Sequence, residues 1–188
     1  MGDLDFTDLA ERVRRSTVEI RAGGHSGGSG VIIHANGAII TNAHVARWSR
    51  VEVRLYDGRR FTGEVVRRDA KRDLALIRIG APGLHAAILG ESSSLRPGEF
   101  VLAVGHPFGF DGAISIGVVH AVGKLGELGG PWVQSDVRLA PGNSGGPLAD
   151  ASGRVIGINT MIAAGLGLAI PSSDVQHFVR LAAAGAAA

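Results

Sequence analysis

Apolar positions along this chain follow two periods. Near the start, Phe6, Leu9, Ala10 and Val13 recur at helical spacing and predict a short helix over 3–15. From residue 17 the period drops to two. Val18 and Ile20 alternate with Glu19 and Arg21, as in a half-buried strand. The glycine-rich GGHSGGSG (23–30) reads as a turn. VIIH and GAIITN then flank Asn36-Gly37, a pair suited to the positive-φ positions of a tight hairpin. Further short strands are predicted over 51–55, 61–66, 74–79, 100–104, 113–122, 131–134, 154–160 and 166–170, with Gly, Pro, Asp or Asn in most of the gaps. Past Pro171, two serines and Asp174 form a helix N-cap signal, and Val175, Phe178, Val179 and Ala182 describe one face of a closing helix.

Many short strands with close turn signals imply an all-β barrel or sandwich. The stretch 84–100 is the least regular near the middle and reads as a join between two barrels. Charge changes sign there as well. Residues 17–80 carry eleven Lys/Arg against six Asp/Glu, and residues 81–174 carry four against seven. The arginines of the basic half fall on strand faces and turns with few aromatics between them, so a solvated barrel surface is the reading and nucleic acid is not an expected partner. The 29 glycines show no collagen-like period and fit a turn-rich β protein. There are no cysteines, which excludes disulfides and thiolate metal sites. The opening MGDLDFTDLAERVRR lacks the apolar core of a secretory signal, and no run of about 18 apolar residues predicts a membrane span.

The strongest chemical signal is PGNSGGPL, residues 141–148. An attacking serine needs its hydroxyl on a tight turn, with backbone N–H groups beside it to hold a developing oxyanion, and glycines let the chain make that turn. Ser144 is the candidate nucleophile, and the candidate oxyanion hole is Gly142, Asn143 and Ser144, with Gly142 and Ser144 donating their N–H groups. A serine at neutral pH also needs a base, and the base an orienter. TNAHV (41–45) ends an apolar strand with His44, and RDLALIRI (72–79) sets Asp73 immediately before another. The order His, Asp, Ser is that of chymotrypsin-type enzymes and differs from that of subtilisin and the α/β-hydrolases. The remaining histidines (His25, His34, His85, His106, His120, His177) show no ligand spacing, so no metal and no cofactor is expected. His106, within GHPFG, is read as a turn residue.

Taken together, SGSGVIIHANGAIITNAHV, RDLALIRI, GHPFG, QSDVRLAPGNSGGPL, GRVIGINTMI and GLGLAIP resemble the protease domain of the HtrA/Deg family of chymotrypsin-like serine peptidases, from about residue 17 to 175. The resemblance implies an all-β, chymotrypsin-like double β-barrel with short N- and C-terminal helices. The expected division is a helical segment at 1–16, a first barrel at 17–88, a second at 89–174, and a helix with an Ala-rich tail at 175–188. It implies a serine endopeptidase that cleaves unfolded or flexible polypeptides by an acyl-enzyme mechanism, in protein quality control, in an extracytoplasmic compartment (periplasmic or secreted), as a homotrimer or a monomer. Family members usually carry PDZ domains after the protease domain, and none follows within these 188 residues.

By the same resemblance the specificity pocket has Ile158, Asn159 and Thr160 on one wall, Leu168, Ala169 and Ile170 on the other, and Leu139 at its base. Such a pocket favours small or medium aliphatic side chains. Arg138 stands where trypsin-like enzymes place a charged pocket residue. Turned inward it selects acidic side chains, and an outward Arg138 is the favoured reading. The strand Ile158–Thr160 is expected to pair with substrate backbone. Two other readings use the same residues: a mostly resting, chaperone-like peptide-binding module that needs an activator, and an esterase.

Overall fold

A computed structural model describes residues 5–22, 25–126 and 128–185. Helix α1 (Phe6–Arg15) opens the described chain. The Asp5 carboxylate caps it, accepting from Thr7 N at 2.9 Å and Asp8 N at 3.3 Å. Its apolar stripe enters the protein at Leu9, Ala10 and Val13, while Phe6, one turn earlier, stays exposed. Leu9 and Val13 pack on Leu102, Val104 and Ala149.

Six strands follow: β1 (Thr17–Ala22), β2 (His25–His34), β3 (Ala38–Thr41), β4 (Arg50–Arg54), β5 (Arg60–Asp69) and β6 (Leu74–Arg78). They close into an antiparallel barrel in the order β1-β2-β3-β6-β5-β4. Six more, β7 (Phe100–Gly105), β8 (Ala113–Lys124), β9 (Pro131–Ser135), β10 (Pro147–Asp150), β11 (Val155–Ala163) and β12 (Leu166–Pro171), repeat the same topology as β7-β8-β9-β12-β11-β10. Helix α2 (Ser172–Gly185) ends the described chain. Two closed six-stranded barrels of this topology, flanked by terminal helices, form the chymotrypsin-like fold. Closure pairs every strand with a neighbour on each side over at least part of its length.

Three of the expected elements differ. The glycine-rich turn is largely strand, since β2 begins at His25, while residues 23 and 24 lie outside the described residues. Glycine is required there by contact: a Cβ on Gly27 would stand 1.4 Å from Ile20 O. Strand β10 was not expected, because Pro147 and the preceding glycines read as a turn. Proline tolerates the first position of a strand, and β10 starts on it. Helix α2 starts at Ser172 rather than after Asp174. The Asp174 carboxylate sits in the first turn and pairs with Arg72 Nη2 at 2.5 Å instead of capping.

Each barrel has its own interior, built on Val18, Ile20, Ile39, Val53 and Ile77 in the first and on Val101, Val119, Val133, Leu148 and Ile156 in the second. A third cluster joins them. Val31, Ile40 and Leu74 from the first barrel meet Trp132, Ile158, Leu168 and Ile170 from the second, with Val175 and Phe178 of α2.

Candidate active site

The turn after β3 carries His44, and its geometry is set by Asn42, whose carbonyl accepts Val45 N and Ala46 N, both at 3.1 Å. Asp73, immediately before β6, has φ 55°, a left-handed conformation that Asp tolerates better than most residues. Its carbonyl is held by Ala43 N at 3.1 Å and by the buried Asn42 Nδ2 at 3.0 Å. The two segments are thereby locked side by side through the Asp73 main-chain carbonyl before any functional atom is involved.

The Asp73 carboxylate has three partners. Oδ1 accepts His44 N at 3.0 Å, while Oδ2 lies 2.7 Å from His44 Nδ1 and accepts Thr160 Oγ1 at 2.7 Å. Burial pushes this carboxyl up. The bonds from the imidazole, the Thr160 hydroxyl and the His44 amide outweigh burial and hold it below the usual aspartate value. An ionised Asp73 against Nδ1 favours the tautomer with the proton on Nδ1 and the lone pair on Nε2.

From the second barrel, Ser144 lies in the turn before β10 and donates Oγ to Thr160 O at 2.9 Å. Thr160 of β11 thus touches both halves: its hydroxyl holds Asp73 and its carbonyl holds Ser144. Sequence reading assigned Thr160 to a pocket wall. Its bond to a carboxylate 87 residues away leaves no local signal.

Among the described residues, Gly142 N–H and Ser144 N–H donate to no protein acceptor, as an oxyanion hole requires. Asn143, between them, is not a donor to the hole. Asn143 N–H is taken by Ala140 O at 2.9 Å, closing the turn, and its side chain is buried against Gly105. Gly145, at φ 85°, is needed for fit, because a Cβ there would stand 2.1 Å from Ser29 O.

The expected pocket divides. Leu139 packs in the second barrel's interior cluster with Val137 and Ala169, and lies against Gly167. Ile158, Leu168 and Ile170 point the other way, into the cluster under α2, because side chains alternate along a strand. Their assignment as pocket walls is therefore corrected. Asn159 keeps its place on the strand, with Nδ2 donating to Pro147 O at 2.8 Å. Arg138 is exposed. The strand expected to pair with substrate is also displaced. Asn159 N and O are taken by Gly146 O and Gly145 N, whereas Thr160–Ile162 face only β12, on one side. Among the described residues the open edge is Thr160–Ile162.

Sequence reading missed Ser29 altogether. It is fully buried on β2, and its N–H donates to Ser144 O at 2.8 Å. A serine set between glycines in a strand was its only trace. His106 is more than a turn residue: it is mostly buried, in contact with Ser29, and burial pulls its pKa down to about 4.

Residues 28–158 match the family described as trypsin-like peptidase domain. The chain is 41% identical over 160 residues to the putative serine protease HhoB of Synechocystis sp., covering 80% of this chain and 38% of that protein. It is 39% identical over 192 residues to serine protease HTRA1B of Danio rerio, covering 93% and 40%. It thus spans less than half of these curated relatives. Among solved structures, that of the HtrA-type protease AlgW with a decapeptide superposes with a TM-score of 0.87 at 29% identity, covering 94% of this chain and 66% of that one. With these matches joined to the double barrel, the chain belongs to the trypsin-like peptidases, as a protease domain of the HtrA/DegP family.

Proposed function

We propose that this chain is a serine endopeptidase in which Ser144 attacks the scissile carbonyl, His44 is the general base and acid, and Asp73 orients the imidazole. The observation that carries this reading is the His44 Nδ1–Asp73 Oδ2 contact at 2.7 Å, which the Thr160 hydroxyl ties to the second barrel's strand beside Ser144. Ser144 Oγ passes its proton to His44 Nε2 as the acyl bond forms, His44 returns it to the leaving amine, and water then reverses the sequence. The N–H groups of Gly142 and Ser144 stabilise the oxyanion. Each such donor contributes roughly 10²–10³ in rate.

The open edge Thr160–Ile162 accepts the substrate as an added antiparallel strand, which only an extended segment can supply. Unfolded or flexible polypeptides are therefore the substrate class. Leu139, partly buried at the expected pocket base, favours small or medium aliphatic residues before the scissile bond. A role in protein quality control accords with these preferences and with the family.

One observation favours a resting enzyme. The Ser144 hydroxyl is turned to Thr160 O, so attack requires a rotation about its side-chain bond towards His44. Digestion of an unfolded protein, with every cut mapped by mass spectrometry, tests the proposal. Cuts should follow Val, Ala, Leu or Ile and vanish in Ser144→Ala. A pattern dominated by cuts after Asp or Glu refutes the pocket. Absence of both cleavage and fluorophosphonate labelling refutes the active enzyme in favour of a peptide-binding module awaiting an activator.

A further inference from the structure

Behind the oxyanion turn lies a polar contact that nothing in the proposed chemistry uses. Ser29 Oγ donates to Gly142 O at 2.8 Å, accepts His106 N at 3.0 Å and stands 3.3 Å from His106 Nδ1. His106 N also reaches Gly142 O at 3.4 Å, and Phe108 N donates to Pro141 O at 3.3 Å.

These bonds act on a residue with unusual freedom. Gly142 sits at φ 107°, and glycine alone has little preference for that value over others. Nothing local therefore selects the conformation that presents its N–H. The flanking peptides are fixed from outside instead. Phe108 N–H holds Pro141 O, and in a planar trans peptide the Gly142 N–H must then point the opposite way, out of the 106–108 segment. Ser29 and His106 hold the next carbonyl, Gly142 O, which sets the plane on the other side of the glycine.

We propose that Ser29 and His106 are a positioning pair for the oxyanion hole, with the Ser29 hydroxyl fixing the Gly142 carbonyl and the His106 imidazole fixing the Ser29 hydroxyl. The inference rests on the peptidase reading above. A serine hydroxyl has one proton and two lone pairs. Its proton goes to Gly142 O, which cannot donate, so both contacts from His106 must be donors. That assigns the neutral imidazole the Nδ1–H tautomer. Burial keeps the ring neutral at working pH. The surroundings are anchored too: Arg54 links the buried Glu19 of β1 to Asp111, just past the His106 loop, and Arg14 Nη2 donates to Asp111 O at 3.3 Å.

Two measurements test this, and the first needs no activity. In Ser144→Ala protein labelled with ¹⁵N-histidine, long-range ¹H–¹⁵N correlation at neutral pH should show His106 as the Nδ1–H tautomer. The Nε2–H tautomer overturns the inference. In the active protein, Ser29→Ala should lower kcat by about tenfold to a hundredfold with KM within about twofold, and weaken a peptide-aldehyde inhibitor by the same factor. His106→Ala should fall in the same direction, and His106→Asn, whose amide places a donor near Nδ1, should recover most of the loss. Full kcat and inhibitor affinity in both alanine variants, or a His106→Asn as impaired as His106→Ala, overturns it. A wild-type protein with neither turnover nor probe labelling instead defeats the peptidase reading, and the tautomer still decides the pair.

Discussion

Asp73 combines a charge with a left-handed backbone, and the two demands separate cleanly in variants. Asn tolerates that conformation but cannot hold His44 in the required tautomer, so Asp73→Asn should fold normally and lose about 10⁴ in kcat on a peptide ester. Asp73→Ala should lose comparable activity and, in addition, about 1–2 kcal/mol of stability to urea, because alanine pays for the positive φ. The carboxyl lies below its ordinary value in the folded protein, so its bonds stabilise the fold at pH values above the unfolded pKa, about 3.9. That contribution is lost as pH falls through the folded value. The stability gap between wild type and Asp73→Asn should therefore be full at about pH 6 and close below about pH 4, as read from urea unfolding at each pH. Ser144, His44 and Asp73 stand out in the sequence as candidates because each sits in a segment whose local chemistry is distinctive. Thr160 and Ser29 do not, since each acts through a partner brought close only by the closing of two barrels.

At the scale of elements, periodicity located most strands but misplaced those whose residues obey contact rather than propensity. β2 runs through glycines because neighbouring backbone leaves no room for a side chain, and β10 is hidden inside a motif that reads as pure turn. Helix α2 shows the reverse case. Its apolar face was plain in Val175 and Phe178, yet its first turn begins earlier, since Asp174 is engaged by Arg72 and Ser172 Oγ by Gly90 O at 2.8 Å. Phe178 is 4% exposed and fills the cluster between the barrels. Phe178→Ala should cost about 3–5 kcal/mol in denaturant unfolding, while the folded fraction keeps its kcat. A loss below about 1 kcal/mol would mean that α2 is not part of the shared core.

Across the whole molecule, the charge asymmetry that read as a solvated surface has a structural use in part. Arg72 and Arg54, both from the basic first barrel, pair with Asp174 and Asp111, which lie beyond it in the acidic half. Together with the apolar cluster built from both barrels and α2, these pairs tie the two units together. The molecule should therefore unfold in a single step. Fluorescence from Trp132, buried in that shared cluster, and far-UV circular dichroism should give coincident urea transitions, whereas independent barrels would give two. The division of the site between the barrels also bears on how the protein is made. His44 and Asp73 leave the ribosome first, and Ser144 and Thr160 arrive only with the second barrel, whose last strands and α2 close the common core. On the proposed reading, then, a growing chain that has completed only its first barrel holds the base and its orienter without a nucleophile, and cannot cut.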